Sequence, residues 1–329
     1  MADKRQQKTQ TRKSRTITLN HDVIIVGAGL AGLFVALKLA PIPTTIIAAK
    51  TLGSGSSSVW AQGGVAAAIG EGDTTDKHAA DTINVGAGLV DHQIAQLITS
   101  EAPAAIKDLL HYGVPFDKNI EGILQLSKEA AHSNRRIVRV EGDRAGAAIM
   151  AALISAVKQT PSIQILEQIE VHKLARKNGH IKGVYFWPSS AKGTGKGTLL
   201  KARSVILATG GCGHLFEKTT NPDMARGEGL AMAAKIGAVI SDAEFAQFHP
   251  TAIDSDIDPA PLATEALRGE GAHLINNQGE RFMQQLHKDA ELAPRDIVAI
   301  AVDRERKAGR GAFLDCASTI GKNMEKQFP

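Results

Sequence analysis

The amino-acid sequence predicts an α/β fold built on a parallel sheet. A β-branched run at residues 23–26, Val-Ile-Ile-Val, is typical of a strand buried on both faces. An apolar helical pattern at residues 30–39 follows after a glycine-rich turn. The chain has 32 glycines among 329 residues and is 43% hydrophobic and 22% charged, which suits a close-packed α/β protein with many tight turns.

The turn between the predicted strand and helix carries glycines in G-x-G-x-x-G spacing. Gly27 permits a tight turn, Gly29 lets a pyrophosphate approach the backbone, and Gly32 lets the helix pack closely on the strand. A phosphate would lie at the helix N-terminus, where free N–H groups and the helix dipole favour an anion. A dinucleotide site is therefore predicted, although the motif alone does not separate FAD from NAD. Its residues are Gly27, Ala28, Gly29, Leu30, Ala31 and Gly32.

The second predicted strand, at residues 44–49, lacks a feature common in dinucleotide sites. Such sites often place an acidic residue at the end of this strand, where it binds ribose hydroxyls. Here the chain has Ala48, Ala49 and Lys50, and the missing acid disfavours NAD. Two interpretations of Lys50 remain open, which are a contact to phosphate or ribose and a solvated strand end.

The stretch after this strand is rich in glycine and serine, yet it contains Trp60 and a pair of glycines. A mobile linker has little use for a tryptophan, and paired glycines allow a planar ring to lie against the backbone. We therefore predict a loop that wraps a cofactor. Its predicted contacts are Ser57, Ser58, Val59, Trp60, Ala61, Gln62, Gly63 and Gly64.

Composition and charge limit the classes of function. The net charge is +4, but the first 20 residues are basic and are predicted to be a disordered tail, so the remainder is close to neutral. Aromatic residues make up 4% of the chain, which argues against a stacking platform for nucleic acid. The longest apolar stretch is too short to span a membrane, and two cysteines provide neither a disulfide framework nor a metal cluster. A cytoplasmic protein without nucleic-acid, membrane or metal partners is expected.

The middle of the chain is predicted to be structural. Helical periodicity at residues 78–113 predicts packing helices, in which His78, His92 and His111 are expected to be surface residues. Three β-rich runs, at residues 163–166, 171–175 and 181–187, are predicted to form a meander, with a hairpin tip at residues 193–197.

The glycine turn and the predicted cofactor loop together resemble a known family. The glycine turn at residues 27–32, followed by Ala-Gln-Gly-Gly-Val-Ala at residues 61–66, is similar to the FAD domain of the succinate dehydrogenase, fumarate reductase and L-aspartate oxidase flavoproteins. Membrane-bound members have a histidine just before the Ala-Gln-Gly-Gly run that bonds covalently to the flavin. This chain has Ser-Ser-Ser-Val-Trp there, so the resemblance implies non-covalent FAD, as in aspartate oxidases.

The same superfamily is matched by Gly-Glu-Gly at residues 227–229, where the acidic residue is a candidate for FAD contact. The resemblance thus implies a cofactor role for Glu228, while a helix N-terminal acid favoured by the dipole remains the alternative.

A second group of motifs concerns the substrate. The Gln-x-His-Pro-Thr-Ala pattern at residues 247–252 resembles the superfamily segment whose histidine binds a substrate carboxylate. The resemblance therefore gives His249 that role and places Gln247 in the substrate site. It also places Thr264 and Glu265 near the substrate, with Arg268 ordering their loop. Arg295 matches the family's active-site arginine, as a proton donor or acceptor or as a carboxylate clamp.

Residues 126–137 combine an acid, a histidine and two arginines. Composition alone favours a charged, solvent-facing loop. Aspartate oxidases have Glu-Gly-Gly-His-Ser-His-Arg-Arg here, and Glu129 matches the glutamate that faces the substrate's amino group. A carboxylate beside an ammonium fits an amino acid and not succinate, although Ala130, Ala131 and Asn134 depart from the pattern.

Taken over residues 22–314, the resemblance implies a Rossmann-like FAD-binding domain of the glutathione reductase type with an inserted α+β capping domain. The expected organisation is a basic tail at 1–20, an FAD-binding domain at 21–242 and a capping or substrate domain at 243–329. Because the family is longer than this chain, we expect a fold that is incomplete at the C-terminus, with an incomplete FAD site and without full activity of the chain in isolation.

The implied activity is oxidation of L-aspartate to iminoaspartate by FAD, with oxygen or fumarate as electron acceptor. This is the first step of NAD biosynthesis, in which quinolinate synthase uses the product. Two alternatives stay open. One is a soluble fumarate reductase or succinate dehydrogenase flavoprotein, and the other is a non-catalytic flavin-binding fragment.

Overall fold

The computed structural model describes residues 22–129, 131–188, 190 and 197–324. The predicted basic tail and most of the predicted hairpin tip at residues 193–197 lie outside the described residues. The α-helices described are α1 (Leu30–Leu39), α2 (Ser57–Trp60), α3 (Thr75–Val85), α4 (His92–His111), α5 (Ala145–Lys158), α6 (Glu228–Lys235), α7 (Glu265–Gly269) and α8 (Arg295–Lys307). The strands described are β1 (Val23–Val26), β2 (Thr44–Ile47), β3 (Val65–Ala66), β4 (Leu126–Ser127), β5 (Ile137–Val138), β6 (Ile163–Leu166), β7 (Ile169–Lys177), β8 (His180–Pro188), β9 (Thr198–Lys201), β10 (Ser204–Leu207), β11 (His273–Ile275) and β12 (Phe313–Asp315).

The predicted parallel sheet is confirmed. Its four strands follow the order β10-β1-β2-β6, and all neighbouring pairs are parallel. Every residue of β1 and β2 is buried, as their continuous apolar runs predict. The prediction for β6 was wrong, because this strand joins the parallel sheet through β2 instead of forming a meander with β7 and β8. A short β-branched run does not by itself specify its pairing partner.

Both faces of the parallel sheet are covered. Side chains of β1 that point to one side pack with α1 and α5 in the largest apolar cluster, which includes Ile25, Leu33 and Leu153. Those that point to the other side pack against the antiparallel sheet β7-β8-β9, with Ile24 beside Val184 and Phe186 in the same cluster. The alternation of β1 residues between two cores follows from the two-residue repeat of a strand.

A small antiparallel sheet, β3-β5-β4, is formed by β3, which precedes α3 and α4 in the chain, and by β4 and β5, which follow them. It joins the glycine-rich segment that ends in β3 to the loop between β4 and β5, which carries Glu129. Helices α3 and α4, which precede this loop, begin at side-chain caps. Thr74 accepts a hydrogen bond from the Lys77 N–H at 3.2 Å, and Asp91 accepts from two N–H groups at the start of α4.

The last third of the described chain packs around its own core. Strands β11 and β12 pair in antiparallel fashion and lie with α8 over a cluster that includes Leu274, Met283 and Val298. Residues 237–248 lead into this part, and every one of them is exposed and outside helix or strand. The predicted domain boundary at residues 242–243 lies in this exposed stretch.

Among the described helices, none combines the length and apolar character that crossing a membrane requires.

Candidate functional site

The glycine turn forms one wall of a cavity of about 360 Å³, here called the glycine-turn cavity. The other walls come from the end of β2 with the serine-rich segment after it, the start of β7, the end of β10 and the start of α6. Its lining comprises residues 26–31, 47–58, 169–171 and 207–211 with Pro222, Met224, Ala225, Glu228, Gly229 and Met232. The cavity thus lies at the carboxyl ends of parallel strands, which is where open α/β sheets bind their ligands.

Close packing around the turn requires its glycines. Gly27 has a φ of +110°, and a Cβ there would lie 2.2 Å from the Ala208 carbonyl oxygen. A Cβ on Gly32 would lie 2.1 Å from the Gly27 carbonyl oxygen. Both positions therefore exclude any side chain, and α1 can begin directly beside β1.

The hydroxyl groups beside α1 make this cavity suitable for phosphate. Ser58 Oγ accepts a hydrogen bond from the Leu30 N–H at 3.1 Å, at the first residue of α1. Ser56 Oγ also lines the cavity, and it is buried without a hydrogen-bond partner in the described part of the chain. A buried hydroxyl without a partner is unfavourable, so a ligand with acceptor oxygens would satisfy it. These groups and the N-terminus of α1 fit the pyrophosphate of a dinucleotide.

Lys50 lies in the same cavity and is held by an ion pair. Its Nζ lies 2.8 Å from Asp223 Oδ1. This ion pair joins the segment after β2 to the segment before α6. The hydrogen bond and charge of Lys50 lower the pKa of Asp223. Glu228, the first residue of α6, also lines the cavity.

The predicted cofactor loop is divided between two cavities. Ser57 and Ser58 line the glycine-turn cavity, and residues 62–64 line a second one. Val59 packs against the main apolar core, while Trp60 is 47% exposed. Neither Trp60 nor Ala61 lines one of these two cavities in the described structure.

The second cavity, of about 790 Å³, is here called the Glu129 cavity. It lies between the glycine-rich loop, the loop from β4 to β5 and the part of the chain that contains α7. Its lining comprises residues 62–64, 126–129 and 131–133 with Asp81, Asn84, Val85, Arg135, Arg139, Gly142, Asp143, Thr264, Glu265, Ala266, Gly269, Glu270, His287, Lys288, Asp289, Leu292 and Pro294. Residues widely separated in the sequence, Glu129 and the pair Thr264 and Glu265, thus meet at one cavity.

Glu129 has an altered acidity in this cavity. Burial raises the pKa of its carboxyl group, the nearby Glu265 carboxylate raises it further, and Arg295 opposes the change. A carboxylate with a raised pKa is a better proton acceptor than a free one. The site therefore contains a partly buried base that faces other charged groups.

Arg295 is the first residue of α8, and Glu265 binds it. The Nε of Arg295 donates to Glu265 Oε2 in an ion pair. A cation at a helix N-terminus is disfavoured by the dipole, so this carboxylate compensates for an unfavourable position. The same oxygen of Glu265 lies 3.6 Å from Nη2 of Arg268, so one carboxylate joins two arginines.

Arg268 is buried and incompletely hydrogen-bonded. Its Nη1 donates to the Glu291 carbonyl, whereas its Nε and Nη2 have no hydrogen-bond partner within the residues described. The side chain of Glu291 is in turn bound by Arg281, with Nη2 2.8 Å from Oε2. Burial lowers the pKa of Arg268.

His249 is neutral at the edge of this arginine pair. Burial, followed by the charges of Arg295 and Arg268, lowers its pKa to about 4, against a smaller opposing effect of Glu265. Its Nδ1 accepts a hydrogen bond from the Thr251 N–H at 3.2 Å, so the proton of the neutral ring is on Nε2. His249 is therefore a hydrogen-bond donor that does not require protonation.

The predicted substrate residues do not all converge. Glu265 is paired with Arg295 and lies beside Arg268, and the charges of both arginines act on His249. Glu129, Thr264 and Glu265 line the Glu129 cavity, whereas His249, Arg268 and Arg295 do not, although the charge of Arg295 acts on Glu129. Gln247 is exposed and lines neither of the two cavities in the described chain.

Several groups at or near the Glu129 cavity were not predicted from the sequence. His132 lines the Glu129 cavity, and His78, predicted to be a surface residue, is only 7% exposed. His78 is buried because it packs beside His132 and the buried Arg136. The acidic partners of Arg136 lie more than 50 residues earlier in the chain, so no local pattern indicated them. No set of three or more His, Cys, Asp or Glu side chains in the described residues is arranged to hold a metal ion.

Comparison with known proteins adds to this geometry. The model of the FAD binding domain family matches residues 22–329. The chain is 51% identical over 310 residues to an L-aspartate oxidase of Caulobacter vibrioides, covering 93% of this chain and 60% of that protein. It is 47% identical over 306 residues to an L-aspartate oxidase of Agrobacterium fabrum, covering 93% of this chain and 58% of that protein. The chain thus spans about 60% of the length of these curated relatives.

Solved structures share the fold. A quinol fumarate reductase chain of E. coli superposes with a TM-score of 0.86 at 26% identity, covering 94% of this chain and 56% of that chain. A quinol-fumarate reductase structure with menaquinol molecules superposes with a TM-score of 0.83 at 29% identity, with the same coverage of 94% and 56%.

Proposed function

The chain belongs to the FAD binding domain family, whose model spans residues 22–329, and from this premise we propose that it takes part in the oxidation of L-aspartate to iminoaspartate. FAD is the cofactor, and we propose that it is bound without a covalent link. The L-aspartate oxidases of Caulobacter vibrioides and Agrobacterium fabrum support this choice of reaction.

The glycine-turn cavity is the proposed FAD site. Gly27, Gly29 and Gly32 allow the pyrophosphate to reach the N-terminus of α1, where Ser56 Oγ offers a hydroxyl without a partner. Lys50 and Glu228 lie at its other walls and are proposed contacts. Bound FAD supplies the hydride acceptance that converts an amine to an imine. Residues 62–64 continue from this site to the Glu129 cavity, so the glycine-rich segment borders both sites.

The observation that carries the proposed substrate is that Glu129 shares a cavity with Glu265, which is paired with Arg295, and that the charge of Arg295 acts on Glu129. L-Aspartate presents two carboxylates and one ammonium. We propose that Arg295 and the Nε2–H of His249 bind carboxylate oxygens, and that Arg268 fixes Glu265 and thereby Arg295. Glu129 binds the ammonium and, because its pKa is raised, accepts a proton from it. Removal of this proton is required before the Cα–N bond is oxidised to an imine.

A purified-protein assay tests this function. We expect the FAD-loaded chain to release hydrogen peroxide with L-aspartate under oxygen, or to consume fumarate as acceptor, more slowly than its longer relatives do. We expect E129Q to lower kcat/KM for L-aspartate by about a further 100-fold or more. The matched control is E270Q, at another glutamate of the Glu129 cavity that is assigned no role. A yellow protein that ignores aspartate and oxidises succinate would contradict the choice of substrate, and a colourless protein would contradict the flavin site.

A second candidate function is favoured by the structural likeness to fumarate reductases, with a TM-score of 0.86. In that case the same cavity would bind succinate or fumarate, and Glu129 would lack an ammonium partner. Bound FAD without turnover of either substrate would favour the third interpretation, a non-catalytic flavin protein.

We propose further that the product iminoaspartate is consumed by quinolinate synthase and that the reaction takes place in the cytoplasm.

A further inference from the structure

The loop that carries Glu129 is tied to the segment around α3 by a buried cluster of charges. This Arg136 cluster consists of Arg136, Asp73, Asp81 and Ser133. The Arg136 side chain has an exposed fraction of 0%, and that of Asp73 is 1%. Arg136 lies near the end of the loop from β4 to β5, whereas the aspartates lie just before α3 and within it.

The hydrogen bonds of this cluster leave little freedom. The Nε and Nη2 of Arg136 both donate to Asp73 at 2.9 Å, in a bidentate pair. Its Nη1 donates to Asp81 Oδ2 at 2.7 Å. The same oxygen of Asp81 accepts from the N–H and from the hydroxyl of Ser133, each at 2.8 Å. One carboxylate oxygen thus joins Arg136 to the backbone of the loop, four residues after Glu129.

Two imidazoles complete the arrangement. The rings of His78 and His132 have centroids 5.6 Å apart, and burial, followed by the charge of Arg136, lowers the pKa of both. The Nδ1 of His132 lies 3.4 Å from Nη1 of Arg136. Because arginine only donates hydrogen bonds, this Nδ1 is the acceptor and the His132 proton is on Nε2. The backbone N–H of His132 donates to the backbone carbonyl of Glu129 at 3.4 Å, which connects the cluster to Glu129 itself.

Stability is a poor explanation for such a cluster. Removing a guanidinium and two carboxylates from water is so costly that buried ion pairs are often no better than apolar side chains of the same size. A buried ionic network does, however, select one backbone arrangement, because each partner must lie at hydrogen-bond distance. The part of the loop that it fixes bears the carboxylate that faces the Glu129 cavity.

We propose that the Arg136 cluster positions Glu129 for recognition of the substrate ammonium, and that Ser133 transmits this positioning from Asp81 to the loop. The inference rests on the proposed function. Arg136, Asp73, Asp81 and Ser133 are positioning residues, since each acts through the loop. The cluster therefore sets the preference for an amino dicarboxylate over a dicarboxylate without an amine.

The experiment measures the preference for L-aspartate over succinate. S133A removes the short hydrogen bond from the exposed Ser133 hydroxyl to Asp81, together with two longer contacts of that hydroxyl, 3.2 Å from Asn134 Oδ1 and 3.5 Å from Arg136 Nη2, and it leaves the buried charges in place. We expect it to raise KM for L-aspartate by about 2- to 10-fold, the effect of one hydrogen bond, while kcat changes less. The Kd of succinate, from the perturbation of flavin absorbance, is expected to stay within a factor of two. S133T keeps the hydroxyl and is expected to have the wild-type KM for L-aspartate. D81N weakens three hydrogen bonds, so it is expected to raise this KM more than S133A does.

Controls separate positioning from folding and from the proposed function. In an E129Q background S133A is expected to have no further effect on KM, and thermal unfolding midpoints report any loss of fold. Equal increases in the KM for aspartate and the Kd for succinate, or unchanged values in both S133A and D81N, would overturn the inference alone. A wild-type protein that binds succinate but does not oxidise aspartate would overturn the proposed substrate, and this inference with it.

Discussion

Residue 63 determines how closely the glycine-rich segment approaches Glu129. A Cβ built on Gly63 would lie 3.3 Å from Glu129 Oε1, which is tighter than most side-chain contacts. The Gly63 backbone does not have a positive φ, so its conformation is accessible to alanine. Glycine at this position therefore provides space for a carboxylate and not a special turn.

The substitution G63A tests this spacing. The added methyl group would displace the Glu129 carboxylate by a few tenths of an ångström, and an error of about 1 Å at a substrate-positioning group can reduce the rate by about 100-fold. We expect KM for L-aspartate, measured at saturating FAD, to rise by about 3- to 30-fold. G63A/E129Q should match E129Q alone, and additive effects of the two substitutions would contradict a shared mechanism.

His249 is expected to titrate far from the ordinary range. Its folded-state pKa of about 4 lies below the ordinary value of 6.5 because of burial and the charges of Arg295 and Arg268. The unfolded chain binds this proton more readily, so His249 destabilises the fold progressively as pH falls from about 6.5 to about 4, with no effect above that window.

Histidine NMR signals measure this shift directly. In the wild-type protein the His249 ring should titrate with a midpoint of about 4, and R295M should raise the midpoint partway, because burial remains. An NMR midpoint near 6.5 in the wild type would show that the ring is hydrated and separate from the arginines.

At the scale of elements, the unit formed by β1, the glycine turn and α1 depends on one close contact. The position of a Cβ on Gly32, 2.1 Å from the Gly27 carbonyl oxygen, leaves no room for a methyl group. Helix α1 must therefore move away from β1 if residue 32 is anything larger, and the N–H groups that would receive a pyrophosphate move with it.

The G32A substitution is expected to reduce both stability and flavin binding. Overpacking of this kind costs about 1–3 kcal/mol, which should lower the thermal midpoint by several degrees and weaken FAD affinity by about tenfold or more. G269A provides the control, because a Cβ on Gly269 meets nothing within 4 Å. Flavin fluorescence and thermal unfolding measure the two effects, and equal behaviour of both variants would contradict the packing argument.

Local patterns predicted elements better than partners. The segment from β1 to α1 was predictable because strand, turn and helix are adjacent and the glycine spacing has one geometric explanation. Strand β6 was predicted as a strand but assigned to the wrong sheet, since its pairing with β2 joins residues far apart in the chain. His78 was assigned to the surface because nothing near it in the sequence indicates Arg136.

At the scale of the whole molecule, the exposed stretch at residues 237–248 separates two apolar cores. It contains large apolar side chains that face solvent, with Phe245 59% exposed and Phe248 61% exposed. Segments without helix, strand or burial are the preferred sites of proteolytic cleavage.

Limited proteolysis should therefore cut here first. We expect chymotrypsin to cleave after Phe245 and Phe248 before other sites in the described chain, giving two fragments that remain associated under native conditions. Trypsin has no site within residues 237–248 and is the matched control. Earlier cleavage at Phe116 or Phe186, both buried, would contradict the structure.

In the candidate site, too, short motifs predicted individual residues but not their distant partners. Glu129, His249 and Arg295 were named from short motifs, yet their convergence depends on how two parts of the chain pack, which no motif specifies. The supporting residues Asp223 and Arg136 act through partners more than 50 residues away, and Glu291 acts through Arg281, which lies outside its own motif. Composition alone predicts that such charged side chains face solvent.

The pairing of β1 with β10 has a consequence for biogenesis. The glycine turn and β1 lie near the start of the described chain, but β10, one of the two strands that pair with β1, starts only at Ser204. A ribosome adds about 5–20 residues per second, so β10 is synthesised roughly 10–40 s after β1. Until then the unpaired edge of β1 is open to other chains, and a nascent chain that stalls before Ser204 should be a client of chaperones.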